Sequence, residues 1–247
     1  MPERLAVIFG SGFGDLFAGD SPEPPVTPYG RPSAPVSELR LGDAVVAALP
    51  RHGLGQDIPA HAINYRANIS ALHALGVTQV VGLNTVGVIS NICAPGDVGL
   101  PDQLLDYTWG REHTFFDGGA AGIRHIEFTV PFSARLCASL RRAAAAAGVD
   151  CSPGGVYATT QGPRLETAAE IDRLERDGAD FVGMTAMPEA ALAAELGMHY
   201  ACLALVVNAA AGRGTSPIHD AVAEHGSTAR QRALSVIERL IVGEAES

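Results

Sequence analysis

Short apolar runs alternate with helical stretches along the chain, and several of the runs stop at a knot of glycine and polar residues. Residues 5–9 (LAVIF), 45–49 (VVAAL), 77–83 and 200–207 (YACLALVV) read as strands. Continuous apolar runs of this length, bounded by turn residues, fit a sheet covered on both faces. Between them the period changes to that of a helix. In 61–75, Ile69, Leu72 and Leu75 recur three apart and Gly76 supplies the stop; 132–147 is alanine-rich and ends at Gly148; about 216–242 is amphipathic. Residues 154–189 form a further unit, two strand-like runs joined by a charged helix at 167–176 whose Ala168, Ile171 and Leu174 share a face. Pro188 and Glu189 then open another helix, where proline is tolerated and a carboxylate complements the dipole. Residues 96–106 can hold a short strand, which Pro101 keeps out of a central ladder. Residues 107–127 show no period, and a loop of that length points to function or to a subunit contact. His113 and His125 within it serve equally well as ordinary loop histidines. Alternating strands and helices predict an α/β fold: one domain over 1–247, with a central mixed, largely buried sheet flanked by helices.

In open α/β sheets, ligands bind outside the carboxyl ends of the strands. Those ends here offer Ser11, Arg51-His52, Asn84-Thr85, Glu166, Met184-Thr185 and Asn208. Ser11 sits in Gly10-Ser11-Gly12-Phe13-Gly14, a turn that either presents successive N–H groups to an anion or merely needs positive φ. It is not a dinucleotide fingerprint, because the spacing is G-x-G-x-G and only Asp15-Leu16-Phe17 follow before Gly19, too few to open a long helix. Taken singly each end is weak. As a set they hold a hydroxyl and cation cluster suited to an oxyanion, plus a Glu and Asn pair suited to an amide-like ring. Metal-ligand spacing, a G-x-S-x-G elbow and a nucleophile with a neighbouring base are all missing. The chemistry is therefore one of positioning and electrostatics, with the anion as attacking group.

Charge narrows the partners. A formal net charge of −10 disfavours nucleic acid and anionic membranes, which would repel the chain. The apolar run after the N-terminus is too short for a signal peptide and nothing approaches a membrane helix, so the cytoplasm is the expected location. Cys93, Cys137, Cys151 and Cys202 have no C-x-x-C spacing and read as small core residues.

The residues also carry a resemblance. Gly10-Ser11-Gly12-Phe13-Gly14, Arg51-His52 followed by His61-Ala62-Ile63-Asn64-Tyr65-Arg66-Ala67-Asn68, Gly162-Pro163-Arg164-Leu165-Glu166-Thr167 and Gly183-Met184-Thr185-x-Met187-Pro188-Glu189 resemble the trimeric purine nucleoside phosphorylase and methylthioadenosine phosphorylase family, over roughly 5–242. That resemblance implies a homotrimer in which inorganic phosphate, the co-substrate, attacks the anomeric carbon of a purine nucleoside, with no metal and no bound cofactor. It implies that Ser11, Arg51, His52, Thr85 and Thr185 hold phosphate, that Met184 lies on the ribose with Leu165 close by, and that Asn208 and Glu166 face the base as catalytic residues.

Relatives that cleave adenine nucleosides carry aspartate where this chain has Asn208 and a second where it has Ala210. A 6-oxopurine is thus expected, with Glu166 accepting from N1–H. His125-Ile126-x-Phe128 and Pro131-Phe132 resemble the segment that methylthioadenosine phosphorylases lend to a neighbouring subunit's 5′-methylthio pocket, and Gly110-Arg111-Glu112-His113-Thr114 with Glu175-Arg176-Asp177-Gly178 resemble the branch that acts on S-methyl-5′-thioinosine. The alternatives are a general inosine and guanosine phosphorylase, and a nucleoside-binding module without catalysis.

Overall fold

A computed structural model describes residues 4–17, 23–41 and 44–245; Gly19 lies outside them. The strands are β1 (Leu5–Phe9), β2 (Ser37–Leu41), β3 (Ala44–Pro50), β4 (Gln79–Val88), β5 (Val98–Gly99), β6 (Gln103–Asp106), β7 (Val156–Thr159), β8 (Phe181–Gly183) and β9 (His199–Ala209). The helices are α1 (Tyr65–Ala74), α2 (Ala134–Ala146), α3 (Ala168–Arg176), α4 (Ala186–Glu195) and α5 (Ile218–Ala245). The strands form one sheet in the order β2-β3-β1-β4-β8-β7-β6, with β9 on β4 and β5 on β9. Pairing is mixed: β1 with β3 and β4, β4 with β9, and β6 with β7 with β8 are parallel, whereas β2–β3, β4–β8 and β5–β9 are antiparallel.

The unbroken apolar runs of β1, β4 and β9 are almost wholly buried, as helices on both faces require. The α3 stripe meets its expectation in part. Ile171 and Leu174 pack with Ala158 and Val182, each such large side chain contributing about 1.5–3 kcal/mol by leaving water, but Ala168 is exposed. Thr167 caps α3 in a capping box with Glu170, so the chain leaves the 160–166 loop at a defined point. On α1, Ile69 and Leu72 are buried while Leu75 is half exposed at the C-cap. The 96–106 run splits around Pro101 into β5 and β6, so the missing N–H falls between strands and not in a ladder, and β6 takes a sheet edge. Cys137 and Cys202 are core residues as expected, whereas Cys93 and Cys151 are only half-buried. No described helix is long and apolar enough to cross a membrane.

Two strands run past their expected ends, and both extensions shape the site. β4 continues to Val88, so Asn84-Thr85-Val86-Gly87 lie within it. β9 continues to Ala209, with a register shift against β4 that pairs Val86 with Val206 but Gly87 with Asn208. The extra residue is a bulge, a device that re-aims the side chains after it.

Candidate active site

β4 changes partners midway. On one edge it pairs with β1 up to Leu83 and with β8 from Gly87, so Asn84, Thr85 and Val86 have no strand beside them there. Thr85 and Val86 open onto a cavity of ≈ 990 Å³, the size of pockets that enclose small molecules. Ser11, Arg51, His52 and Thr185 reach it from beyond the ends of β1, β3 and β8, and Thr85 from within β4; Leu165, Glu166, Met184, Asn208 and Ala210 also line it. His125 alone among the expected residues stands apart, exposed in the long loop and lining no part of this cavity. A smaller hollow of ≈ 310 Å³ lies against the other side of the 160–166 loop and shares Glu166.

Arg51 does not sit as a free phosphate fork. It is fully buried, with Nε and Nη2 each donating to one oxygen of Glu189 at 2.7 Å, Nη1 donating to the Leu83 carbonyl at 3.0 Å and Nη2 also to Asn84 Oδ1 at 3.3 Å. The bidentate edge of the guanidinium is thus engaged by a carboxylate of the protein, and of five donors one Nη1 hydrogen remains. Glu189 correspondingly does more than complement a helix dipole: it is the buried counter-ion, and Tyr200 Oη donates to it at 2.7 Å. Burial works against the Arg51 charge, but the Glu189 carboxylate overrides it and pushes the pKa up. Burial and then Glu189 also hold the Tyr200 phenol far above its usual range, so it stays a donor. The guanidinium fits because Gly10 has no Cβ; one there would come within 2.6 Å of the Leu83 carbonyl and 2.9 Å of Arg51 Nη1.

From Arg51 a polar chain runs to the cavity wall. Asn84 accepts from Arg51 and its Nδ2 donates to Thr185 Oγ1 at 2.8 Å. Thr185, which accepts there through one lone pair, has its own O–H left to donate. His52 Nδ1 lies 2.8 Å from the Ile58 carbonyl, and a carbonyl only accepts, so Nδ1 carries the proton. Burial first and Arg51 second hold the imidazole below its ordinary range.

On the opposite wall, Asn208 Nδ2 donates to the Ala209 carbonyl at 2.7 Å, which fixes the amide orientation and leaves Oδ1 as an acceptor. Thr160 Oγ1 donates to Glu166 Oε1 at 2.6 Å, leaving Oε2 unspent. Met184 rests against Gly162, which has φ +62 and whose Cβ, were there one, would meet Met184 Sδ at 2.5 Å.

Arg111 had only a motif resemblance to mark it, and it proves to be the strut of the site. It is buried, with Phe115, in a 107–127 loop that is otherwise, among the described residues, half-buried or exposed. Its Nη1 donates to the Met184 and Met187 carbonyls at 2.8 and 2.6 Å, and its Nη2 to the Gln161 and Thr160 carbonyls at 2.9 and 3.3 Å. One guanidinium therefore ties the loop carrying Glu166 to the loop carrying Met184 and Thr185. By sequence Asn84 reads only as part of a polar strand end, Glu189 only as a helix-dipole carboxylate and Tyr200 only as part of an apolar strand, since a buried polar residue inside a strand or at a helix start carries no mark of its partner.

The chain belongs to the Phosphorylase superfamily, whose family profile matches residues 4–242. It is 50% identical over 212 residues to a probable S-methyl-5′-thioinosine phosphorylase of Xanthomonas campestris pv. campestris, covering 85% of each chain. It is 43% identical over 228 residues to the 6-oxopurine nucleoside phosphorylase of Pyrococcus furiosus, covering 90% of this chain and 85% of that one. Among solved structures, the methylthioadenosine phosphorylase of Schistosoma mansoni in complex with tubercidin superposes with a TM-score of 0.89 at 30% identity, over 99% of this chain and 93% of that one.

Proposed function

We propose that this protein catalyses phosphorolysis of a 6-oxopurine nucleoside, S-methyl-5′-thioinosine in particular, giving hypoxanthine and S-methyl-5-thio-ribose 1-phosphate. The observation that carries the reading is the cavity that joins Ser11, His52, Thr85 and Thr185 to Glu166 and Asn208. Phosphate is held by the hydroxyls of Ser11 and Thr185, the Thr85 backbone and the last free donor of Arg51. An oxygen of it attacks the anomeric carbon as the C–N bond to the base breaks, and the electron pair of that bond passes into the purine. The departing base takes up a proton at N7 from water to leave as neutral hypoxanthine, and Asn208 Oδ1, an acceptor because its Nδ2 is tied to Ala209, accepts from that N7–H as it forms, the kind of stabilisation that matters in the transition state. Glu166 Oε2 accepts from N1–H of a 6-oxopurine; adenine would present a lone pair there, and such a mispairing is costly in a buried site.

The 5′-methylthio assignment rests on the relatives bearing that name and on Ile218 and Val222 of α5, four residues apart on one helix face, which give the cavity an apolar wall. A general 6-oxopurine enzyme is the second reading, favoured by the archaeal relative. A homotrimer acting in the cytoplasm, with His125 serving a neighbouring protomer, goes with the reading: His125 and the nearby Ile123 and Val130 are exposed and line no part of this protomer's cavity. The test is hypoxanthine release with S-methyl-5′-thioinosine and with inosine. Phosphate-dependent release that favours the methylthio substrate is expected; equal release without phosphate would indicate a hydrolase, and binding without turnover at any phosphate concentration a mere binding module.

A further inference from the structure

In the phosphate end of the cavity the two side chains that look cationic in the sequence add almost no free positive charge. Arg51 is neutralised by Glu189 in a fully buried pair. The His52 ring has its Nδ1–H committed to the Ile58 carbonyl at 2.8 Å, and the nitrogen left for the cavity is Nε2. We infer that His52 reads a proton on the attacking oxyanion: Nε2 is an acceptor there, so the subsite takes an oxyanion that brings its own O–H, and one that has none binds only when a proton is taken up to stand between them.

The surroundings of His52 sustain this arrangement. Arg51 adjoins it on the end of β3 and disfavours a second positive charge, with burial acting in the same direction. Glu189 on α4 acts the other way and more weakly, its carboxylate being already engaged by Arg51 and Tyr200. Asp57 lines the cavity from the same turn as His52, and its carboxylate sits against Gly53 and Gly55. Arg230 on α5, the other arginine at this cavity, is paired with Asp15 at 2.6 Å. Among the described residues, His219 and Glu166 complete the titratable groups of the cavity wall.

Chemically, the dianion of phosphate keeps one P–O–H. That hydrogen is donated to Nε2 while another oxygen, bearing no proton, attacks the sugar. No proton moves in the binding step, and the nucleophilic oxygen keeps its charge. Arsenate has the same single hydrogen at mildly alkaline pH. Sulfate has none, and buried acceptors that face each other across a missing hydrogen repel, a mismatch that discriminates strongly between oxyanions of one size.

The inference rests on placing phosphate at this end of the cavity, and the wild-type enzyme tests the two separately. Phosphate and sulfate binding are measured by calorimetry between about pH 7.5 and about pH 8.5, alongside sulfate inhibition of turnover. Phosphate and arsenate affinity should stay flat across that interval, whereas sulfate should weaken about tenfold for the one proton it must take up. In H52Q the pH dependence of sulfate should vanish, whatever becomes of turnover. Sulfate binding that is pH-independent in the wild type, while phosphate binds and drives base release, overturns the role of His52 and leaves the phosphorolysis reading standing. Failure of phosphate to bind at all overturns both.

Discussion

Arg51 and Glu189 lie 138 residues apart in the chain and meet side-on in the interior, two N–H···O bonds of 2.7 Å with both side chains at 0% exposure. This buried pair organises the phosphate side of the cavity, because Arg51 is also the root of the Asn84 and Thr185 chain. A charge buried this deeply is tolerated only while its partner stays.

Glu189→Gln strands the guanidinium. The expected outcome is a loss of about 3–5 kcal/mol of stability, the usual cost of breaking a buried pair from one side, with the phosphate KM raised more than the nucleoside KM. Denaturant unfolding gives the first quantity and steady-state kinetics the second; a stability within about 1 kcal/mol of wild type would remove the pair from its central place.

Asn208→Asp is expected to lower turnover of 6-oxopurine nucleosides by about 10²-fold or more, on the scale by which mispaired polar groups discriminate. The measurement is kcat/KM for S-methyl-5′-thioinosine and inosine. Unchanged values would mean that the base is held elsewhere.

Gly162→Ala puts a methyl at φ +62, against Met184 Sδ. Strain of roughly 1–2 kcal/mol follows from the backbone alone, and Met184 must move from the sugar. The nucleoside KM should rise while phosphate binding, read by calorimetry, stays within about twofold.

Arg111→Met keeps length and apolar bulk but leaves the carbonyls of Thr160, Gln161, Met184 and Met187 without their donor. At about 1–3 kcal/mol for each buried acceptor left unpaired, thermal unfolding should shift markedly downward. Arg111→Lys should recover only part of the loss, since one ammonium cannot reproduce a planar fork.

His125→Ala should raise the KM for the methylthio substrate by about tenfold, a modest hydrophobic contact's worth, with little effect on phosphate. Sedimentation of the wild type should give the mass of a trimer; a monomer with full activity would remove His125 from the reaction.

Much of the fold was legible in the chain because burial on both faces leaves a continuous apolar run, and the runs now forming β1, β3, β4 and β9 show it plainly. The glycine stops at Gly76 and Gly148 were equally visible, since both take positive φ. Strands β2, β5 and β6 were harder: all are short, and β2 and β6 are partly exposed as well, so they carry little period. The site's membership was legible as well, because chemistry-bearing residues gather at strand ends in this class of sheet, and ten of the residues expected to bind line one cavity.

What a sequence determines by itself is which residue types stand at which ends: Ser11, His52, Thr185, Glu166 and Asn208 announce an oxyanion and an amide-like ring without any coordinates. Only the tertiary structure decided how they are used. It turned Arg51 from a ligand fork into half of a buried pair, gave Glu189 a partner 138 positions away, shifted Asn208 onto the cavity through one bulged residue and made Arg111 the tie between two loops. The reason is physical. Propensity and period act over a few neighbours, whereas the hydrogen-bond partner of a buried polar group is chosen by whatever the packed sheet brings within about 3 Å.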